Sequence, residues 1–171
     1  MDKDEAYWNI LSSAMELDFK KGHLKWTISD LSRKSKITRS LIYYYFGRSK
    51  IGLLSESVRL IGEEVIGLTP ERKAMWERGE FLESLKASRS VIDRAPYIAS
   101  FYLQHRSRDS EVGESLRKME SSFKRKLKNF YSHLDKTRIN TIFSLYWGAC
   151  FTPDLEEENL VQIIECLRGK L

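Results

Sequence analysis

Cysteine, proline and glycine are all scarce in this 171-residue chain, at two, three and nine. Two cysteines do not make a disulfide framework, and so few prolines and glycines argue against a turn-rich all-β protein. Long apolar runs are missing too. The longest uncharged stretch, Ile139 to Pro153, has 15 residues, short of the roughly 20 a membrane-spanning helix needs. The opening Met1-Asp2-Lys3-Asp4-Glu5 is acidic and has no apolar signal region. There is no Gly-rich phosphate loop and no Gly-x-Ser-x-Gly elbow. His23, His105 and His133 show no metal-ligand spacing with one another or with Cys150 and Cys166. Both cysteines read as buried small hydrophobes. The expectation is a soluble cytoplasmic protein that is not an enzyme, with no catalytic residues, no metal and no cofactor.

What is present is charge, unevenly placed. Hydrophobic residues make up 42% and charged residues 31%, a globular composition. The net charge of +5 divides into −4 for residues 1–19, +8 for residues 20–50 and +1 for the remainder. The middle window holds Lys20, Lys21, Lys25, Arg33, Lys34, Lys36, Arg39, Arg48 and Lys50 against the single acid Asp30. A clustered basic window is the electrostatic footprint of a polyanion site. The alternative is a solvated basic face.

Apolar positions recur at three and four, the helical period, and no strand pattern is sustained. The spacing predicts helices over 4–21, 28–35, 39–46, 50–68, 81–94, 96–106, 110–134, 136–151 and 155–169, with 70–79 a short helix or a loop. This is an all-α chain of about nine helices. Thr27 and Asp30 have capping-box spacing, and Thr38 and Ser49 are N-cap candidates. Leu54, Val58, Ile61, Val65 and Leu68 form one stripe; Val112, Leu116, Met119, Phe123, Leu127, Phe130 and Leu134 form another.

Residues 27–46 have the layout of a helix-turn-helix, in which the second helix enters the major groove. Thr38, Arg39 and Ser40 stand at its N-terminus, where free amides face a duplex. Arg39 is placed to read guanine. Tyr43, Tyr44 and Tyr45 offer hydroxyls for phosphates and rings for thymine methyls. Three consecutive tyrosines lie 100° apart on a helix, so some are core and some exposed. Thr27, Lys36 and Lys50 complete the expected DNA-binding set, with Lys50 clamping a phosphate. Ile28, Leu31, Ile37, Leu41 or Ile42, and Phe46 hold the two helices together.

The segment Ile10–Leu54 resembles the DNA-binding domain of the TetR family of transcriptional regulators. The matching pieces are Ile10-Leu11 with Ala14, Leu17 and Gly22, then Thr27-Ile28-x-Asp30-Leu31, Ser35-Lys36-Ile37-Thr38, Leu41-Ile42-Tyr43-Tyr44-Tyr45-Phe46, and Ser49-Lys50-x-x-Leu53-Leu54. Five features depart from the family pattern, one of them Ile51, where an acid is common. Lys36 stands where a turn glycine is usual, Asp18 where an apolar Phe is usual, and Tyr45 where a His is usual; Phe46 to Lys50 is one residue longer. The resemblance implies three N-terminal helices bearing the helix-turn-helix (1–50), a connecting helix (51–68) and a C-terminal helical ligand-binding and dimerisation domain (69–171). It further implies a homodimer on a palindromic double-stranded DNA operator, and a repressor released by a small-molecule effector. The reading from another class is an all-helical interaction module that applies its basic N-terminal face to a protein or a membrane.

In the C-terminal part, nine of the 13 residues from Ile139 to Phe151 are apolar and go round the whole helix. A helix apolar all round is buried on all sides, either in a monomer core or against a second copy. The expected dimer face is Ile139, Phe143, Tyr146, Cys150, Leu160, Ile164 and Leu167. Ligand candidates are Trp76, Phe81, Tyr97, Phe101, Tyr102, His105, Met119, Phe123 and Trp147; plain core is the alternative for each.

Overall fold

The computed structural model describes residues 3–169, with side chains up to residue 166. These residues form α1 (Lys3–Lys21), α2 (Ile28–Ser35), α3 (Arg39–Phe46), α4 (Lys50–Leu60), a π-helical turn (Ile61–Val65), α5 (Pro70–Glu77), α6 (Phe81–Arg94), α7 (Ile98–Arg106), α8 (Glu111–Phe130), α9 (Lys136–Phe151) and α10 (Glu157–Gly169). No strand occurs among the described residues, and no helix among them is long and apolar enough to cross a membrane. The segment left between helix and loop is α5: the Thr69 hydroxyl accepts from the Arg72 amide and Pro70 takes the first helical position.

Two helix ends differ from the periodicity. α4 was expected to reach Leu68. Instead the helix widens into the π turn after Leu60 and is broken at Gly67, whose φ of +67° suits glycine. The freed carbonyls find donors. Leu68 N–H donates to Gly62 O at 3.1 Å, the Tyr146 hydroxyl donates to Val65 O at 3.3 Å, and the Lys126 ammonium donates to Gly67 O. α8 stops at Phe130, four residues early; Lys128 donates to Ser132 O (2.8 Å) and Leu134 O, closing the turn that follows.

The chain forms two units. The first comprises residues up to Ile61 together with Ile92–Arg117. In it α1 packs on α2, α4 and α7, and α2 on α3. Ile10, Leu11, Met15, Trp26, Leu31, Ile42, Leu54 and Phe101 are fully buried, each contributing roughly 1.5–3 kcal/mol. Gly113 marks a close approach. A Cβ there would press on the backbone oxygens of Arg108 and His105, the latter at 2.7 Å. Alanine is the better helix former by about 1 kcal/mol. Gly113→Ala is nonetheless expected to lower stability by about 2 kcal/mol through overpacking against unyielding backbone, read from urea midpoints; an unchanged midpoint contradicts this packing.

The second unit comprises Gly62–Val91 and the residues from Lys118 on. Trp76 sits at its centre, with ring centroids of Phe81, Phe123, Phe130 and Tyr146 between 5.7 and 6.1 Å away, mostly edge-to-face. Beside it the Arg72 guanidinium, almost completely buried, donates to Ser84 Oγ (3.2 Å), Ser84 O and Ser88 Oγ. The Lys126 ammonium lies 4.3 Å above the Trp76 ring. Burial first, then the charges of Arg72 and Lys73, hold its pKa down at about 8. The unfolded chain keeps this proton to about 10.5, so between about 8 and 10.5 it binds more protons than the folded chain. Stability therefore rises with pH through that window. Lys126→Met is expected to flatten the rise, measured as urea midpoints at both ends of the window.

Candidate nucleic-acid interface

The helix-turn-helix is built by local hydrogen bonds that the sequence encodes. Thr27 Oγ1 accepts from the Asp30 amide (3.0 Å) while Asp30 Oδ2 accepts from the Thr27 amide (2.8 Å), a reciprocal capping box. The Lys21 ammonium and then the Thr27 amide hold the Asp30 carboxyl well below the usual range. α2 ends at Lys36, which adopts the left-handed conformation (φ 59°, ψ 23°) in place of the usual glycine, a strain of roughly 1–2 kcal/mol. Ser32 Oγ donates to Ile37 O at 2.6 Å across the turn. Thr38 caps α3, its hydroxyl accepting from the Leu41 amide. Leu31, Ile37 and Ile42 are buried between the two helices, and Phe46 stacks 5.0 Å from Tyr7 of α1.

This core turns the other face of α3 outward. Lys36, Thr38, Arg39 and Ser40 are exposed. Tyr44 is 80% exposed and Tyr43 36%, whereas Tyr45 is half-buried, 6.1 Å from Phe46. Of the three tyrosines, then, Tyr43 and Tyr44 face solvent. Thr27 is exposed, but its hydroxyl and amide are engaged with Asp30.

The formal charge of the window is pruned by pairing. Glu16 takes Lys20 (2.7 Å) and Lys34 (2.6 Å), and Asp30 takes Lys21 (2.9 Å) and Arg33 (3.8 Å). Among the described residues Lys36, Arg39 and Arg48 have no carboxylate partner; Arg39 touches only Ser29 Oγ, at 3.5 Å, and Arg48 lies over the Tyr43 ring. These three cations bracket α3, one before it, one in its first turn and one just beyond it; Lys25, exposed between α1 and α2, likewise has no carboxylate partner among the described residues.

Lys50, expected to clamp a phosphate, is turned to backbone carbonyls of its own chain. Its ammonium donates to Leu24 O (2.5 Å) and Trp26 O (2.9 Å) and lies over the Trp26 ring. The extra residue between Phe46 and α4 makes Ser49 the cap of α4, and Lys50, at its first position, ties α4 to the segment before α2. Arg48, unassigned from the sequence, is exposed in the turn before α4.

Beneath this layer Asp18, in the last turn of α1, is fully buried. Its Oδ1 accepts from the Leu24 amide (2.8 Å) and the Trp26 indole (2.7 Å). Its Oδ2 lies 2.7 Å from His105 Nε2 and 3.1 Å from His23 Nδ1. Burial pushes this carboxyl up. The His105 ring, the Leu24 amide, the Trp26 indole and His23 outweigh it and hold the pKa at about 2. Histidine spacing alone missed this cluster; the signal was the acid at an apolar position. Phe19, its neighbour, is 40% exposed and lies against the Tyr97 ring.

The expected ligand residues divide between the units: Tyr97, Phe101, Tyr102 and His105 in the first, Trp76, Phe81, Met119, Phe123 and Trp147 in the second. His105 belongs to the Asp18 cluster. A cavity of about 400 Å³ in the second unit is lined by Lys73, Trp76, Glu77, Arg125, Lys126, Asn129 and Phe130 among others, and of the nine expected residues it includes Trp76. Periodicity marked the apolar stripes, whereas the cavity lies on their charged flank.

Of the expected dimer residues, Ile139, Tyr146, Cys150, Leu160 and Ile164 are buried within the single chain. Phe143 is half-buried, and the Leu167 side chain lies outside the described residues. The exposed side of α9 carries Thr141, Ser144 and Gly148, with Leu145 half-buried. Cys150 is buried as expected, its thiol pushed up to about 12 by burial, but Cys166 is exposed.

Residues 10–57 match the model of the family described as bacterial regulatory proteins, tetR family. Among solved structures the chain resembles that of an HlyIIR mutant protein with a segment substituted by a GSSGSSG linker. The TM-score is 0.61 at 16% identity, covering 99% of this chain and 97% of that one. A second HlyIIR mutant, with a segment substituted by alanine, gives a TM-score of 0.55 at 17% identity over 98% of both chains. A third, whose linker contains two thrombin sites, gives 0.61 at 16% identity over 97% and 98%. No curated protein matches the sequence. The shared property at these identities is the all-helical fold.

Proposed function

We propose, for a chain whose residues 10–57 belong to the tetR family of bacterial regulatory proteins, that it acts as a homodimeric, ligand-responsive repressor on a palindromic operator. The observation that carries the reading is the outer face of α3: Arg39, Tyr43 and Tyr44 point outward, with the uncompensated cations Lys36 and Arg48 at its two ends. A capped helix of this kind places its first turn at base edges and its flanks at phosphates. Arg39 reads bases; Thr38, Ser40, Lys36 and Arg48 hold the backbone; Tyr43 and Tyr44 contact phosphate or thymine methyl.

The functional division into a DNA-binding head (1–50), a connecting segment (51–68) and a ligand-binding and dimerising body (69–171) is part of this proposal. Dimerisation uses the surface that α9 and α10 leave uncovered, around Ser144, Leu145 and Gly148. The two recognition helices then lie about one helical turn of DNA apart, ~34–36 Å, or a multiple of it. The effector site is the cavity beside Lys126, whose aromatic and cationic lining favours a small anionic compound.

Selection from a random duplex pool at moderate salt tests the reading. Enrichment of a two-fold symmetric site supports it. Absence of any selected sequence overturns it and favours a basic interaction module. Arg39→Ala is expected to reduce discrimination at one base position of each half-site by about 1–3 kcal/mol. Arg48→Ala instead weakens all duplexes alike and lowers the salt slope by about one. Sedimentation at micromolar concentration reads the oligomeric state, and a monomer rejects the dimer.

A further inference from the structure

The Asp18 cluster does more than close the turn between α1 and α2. Asp18 and His105 are fully buried, and His23 is partly exposed beside them. One ligand atom from each of the three lies within 4.8 Å of the others. His105 Nε2 comes within 2.7 Å of Asp18 Oδ2, yet neither nitrogen of this ring makes a hydrogen bond. The approach is off the N–H direction. A buried imidazole with both nitrogens unbonded is an exception in a folded protein and calls for a partner.

We propose that Asp18, His23 and His105 bind a divalent transition-metal ion of the zinc class. Two imidazoles and one carboxylate are the donors such ions take, with remaining positions left to water. Metal–nitrogen and metal–oxygen distances of about 2.0–2.2 Å set neighbouring ligand atoms about 3 Å apart. The two separations to Asp18 Oδ2, 2.7 and 3.1 Å, are near that spacing, and all three ligand atoms lie within 4.8 Å of one another. The outer hydrogen bonds are in place, since the Leu24 amide and the Trp26 indole fix Oδ1 and leave Oδ2 for the ion. Calcium and magnesium are poor candidates, because they require shells of oxygen. The partly exposed His23 gives the ion its way in. Bound there, the ion joins the end of α1, the turn leading into α2, and α7. Metal binding stands independently of the DNA-binding reading and is measured without DNA.

The experiment uses the full chain, stripped with a chelator and dialysed. It is titrated with CoCl2 by visible absorption and with ZnCl2 by calorimetry. The expected result is one cobalt ion per chain, with visible ligand-field bands that one equivalent of zinc abolishes. His105→Ala and Asp18→Asn remove buried groups and risk misfolding, so the deciding variant is His23→Ala, with its helix content checked by circular dichroism. It is expected to weaken zinc binding about tenfold or more, while His133→Ala, in the other unit, binds as the parent does. A parent with no cobalt bands overturns the proposal. So does binding that His23→Ala leaves unchanged, which marks an adventitious ion.

Discussion

Asp18→Ala is expected to cost roughly 4 kcal/mol of folding stability, measured by urea denaturation with a chelator present so that hydrogen bonds alone are read. The substitution leaves the Leu24 amide and the Trp26 indole N–H buried without an acceptor, at about 1–3 kcal/mol each. It also strips His23 of its partner and leaves the fully buried His105 facing a void. Against a total of about 5–15 kcal/mol for a domain, such a loss brings the chain near unfolding at ordinary temperature. Asp18→Asn separates the two halves of the effect. Its amide oxygen can still accept from Leu24 and Trp26, while its NH2 group replaces Oδ2. About half the loss is therefore expected to be recovered. Equal losses for Ala and Asn would show that Oδ1 carries little of the stability.

Ser84→Ala is expected to cost about 3 kcal/mol, although it removes a single oxygen. Ser84 Oγ accepts from Arg72 Nε (3.2 Å) and Trp76 Nε1 (2.9 Å), and both donors are buried. Losing the hydroxyl orphans a charged and a neutral donor at once, at about 1–3 kcal/mol each and more for the charged one. No carboxylate pairs with Arg72 among the described residues, so the hydroxyls and the Ser84 carbonyl carry its solvation. The contrast is Arg72→Met, which removes the buried charge and leaves its stem. That change is expected to be close to neutral, because a buried charge replaced by an apolar group of similar volume loses its desolvation penalty too. Tryptophan fluorescence in urea reads both. A Ser84→Ala midpoint equal to the parent's would mean that water replaces the hydroxyl.

The parts of this chain legible in the sequence are those set by neighbours within four residues. The Thr27–Asp30 capping box, the Thr38 and Ser49 caps and the apolar stripe of α8 from Val112 to Leu127 are local statements, and the structure carries each of them. At Lys36 the turn keeps the left-handed conformation although no glycine stands there. Contacts across long separations were not legible. Lys50 looked like a surface cation because nothing nearby in sequence reveals the Leu24 and Trp26 carbonyls. His105 looked like pocket lining because its partner lies 87 residues away. α4 read as one helix to Leu68 because apolar spacing does not distinguish an α turn from a π turn. The all-apolar α9 was assigned a second copy to cover it, whereas much of that surface is covered by its own chain.

The pairing of Glu16 and Asp30 with four of the nearby bases changes how the protein should respond to salt. A window of net +8 suggests that many counterions leave DNA on binding. Bases that already hold a carboxylate displace few. With Lys36 and Arg48 left to meet phosphates beside α3, each recognition helix releases about two ions, for a slope of roughly −2 per half-site in log K against log salt. Binding by such a helix fades gently with ionic strength, and sequence discrimination by Arg39 makes up a larger share of what remains.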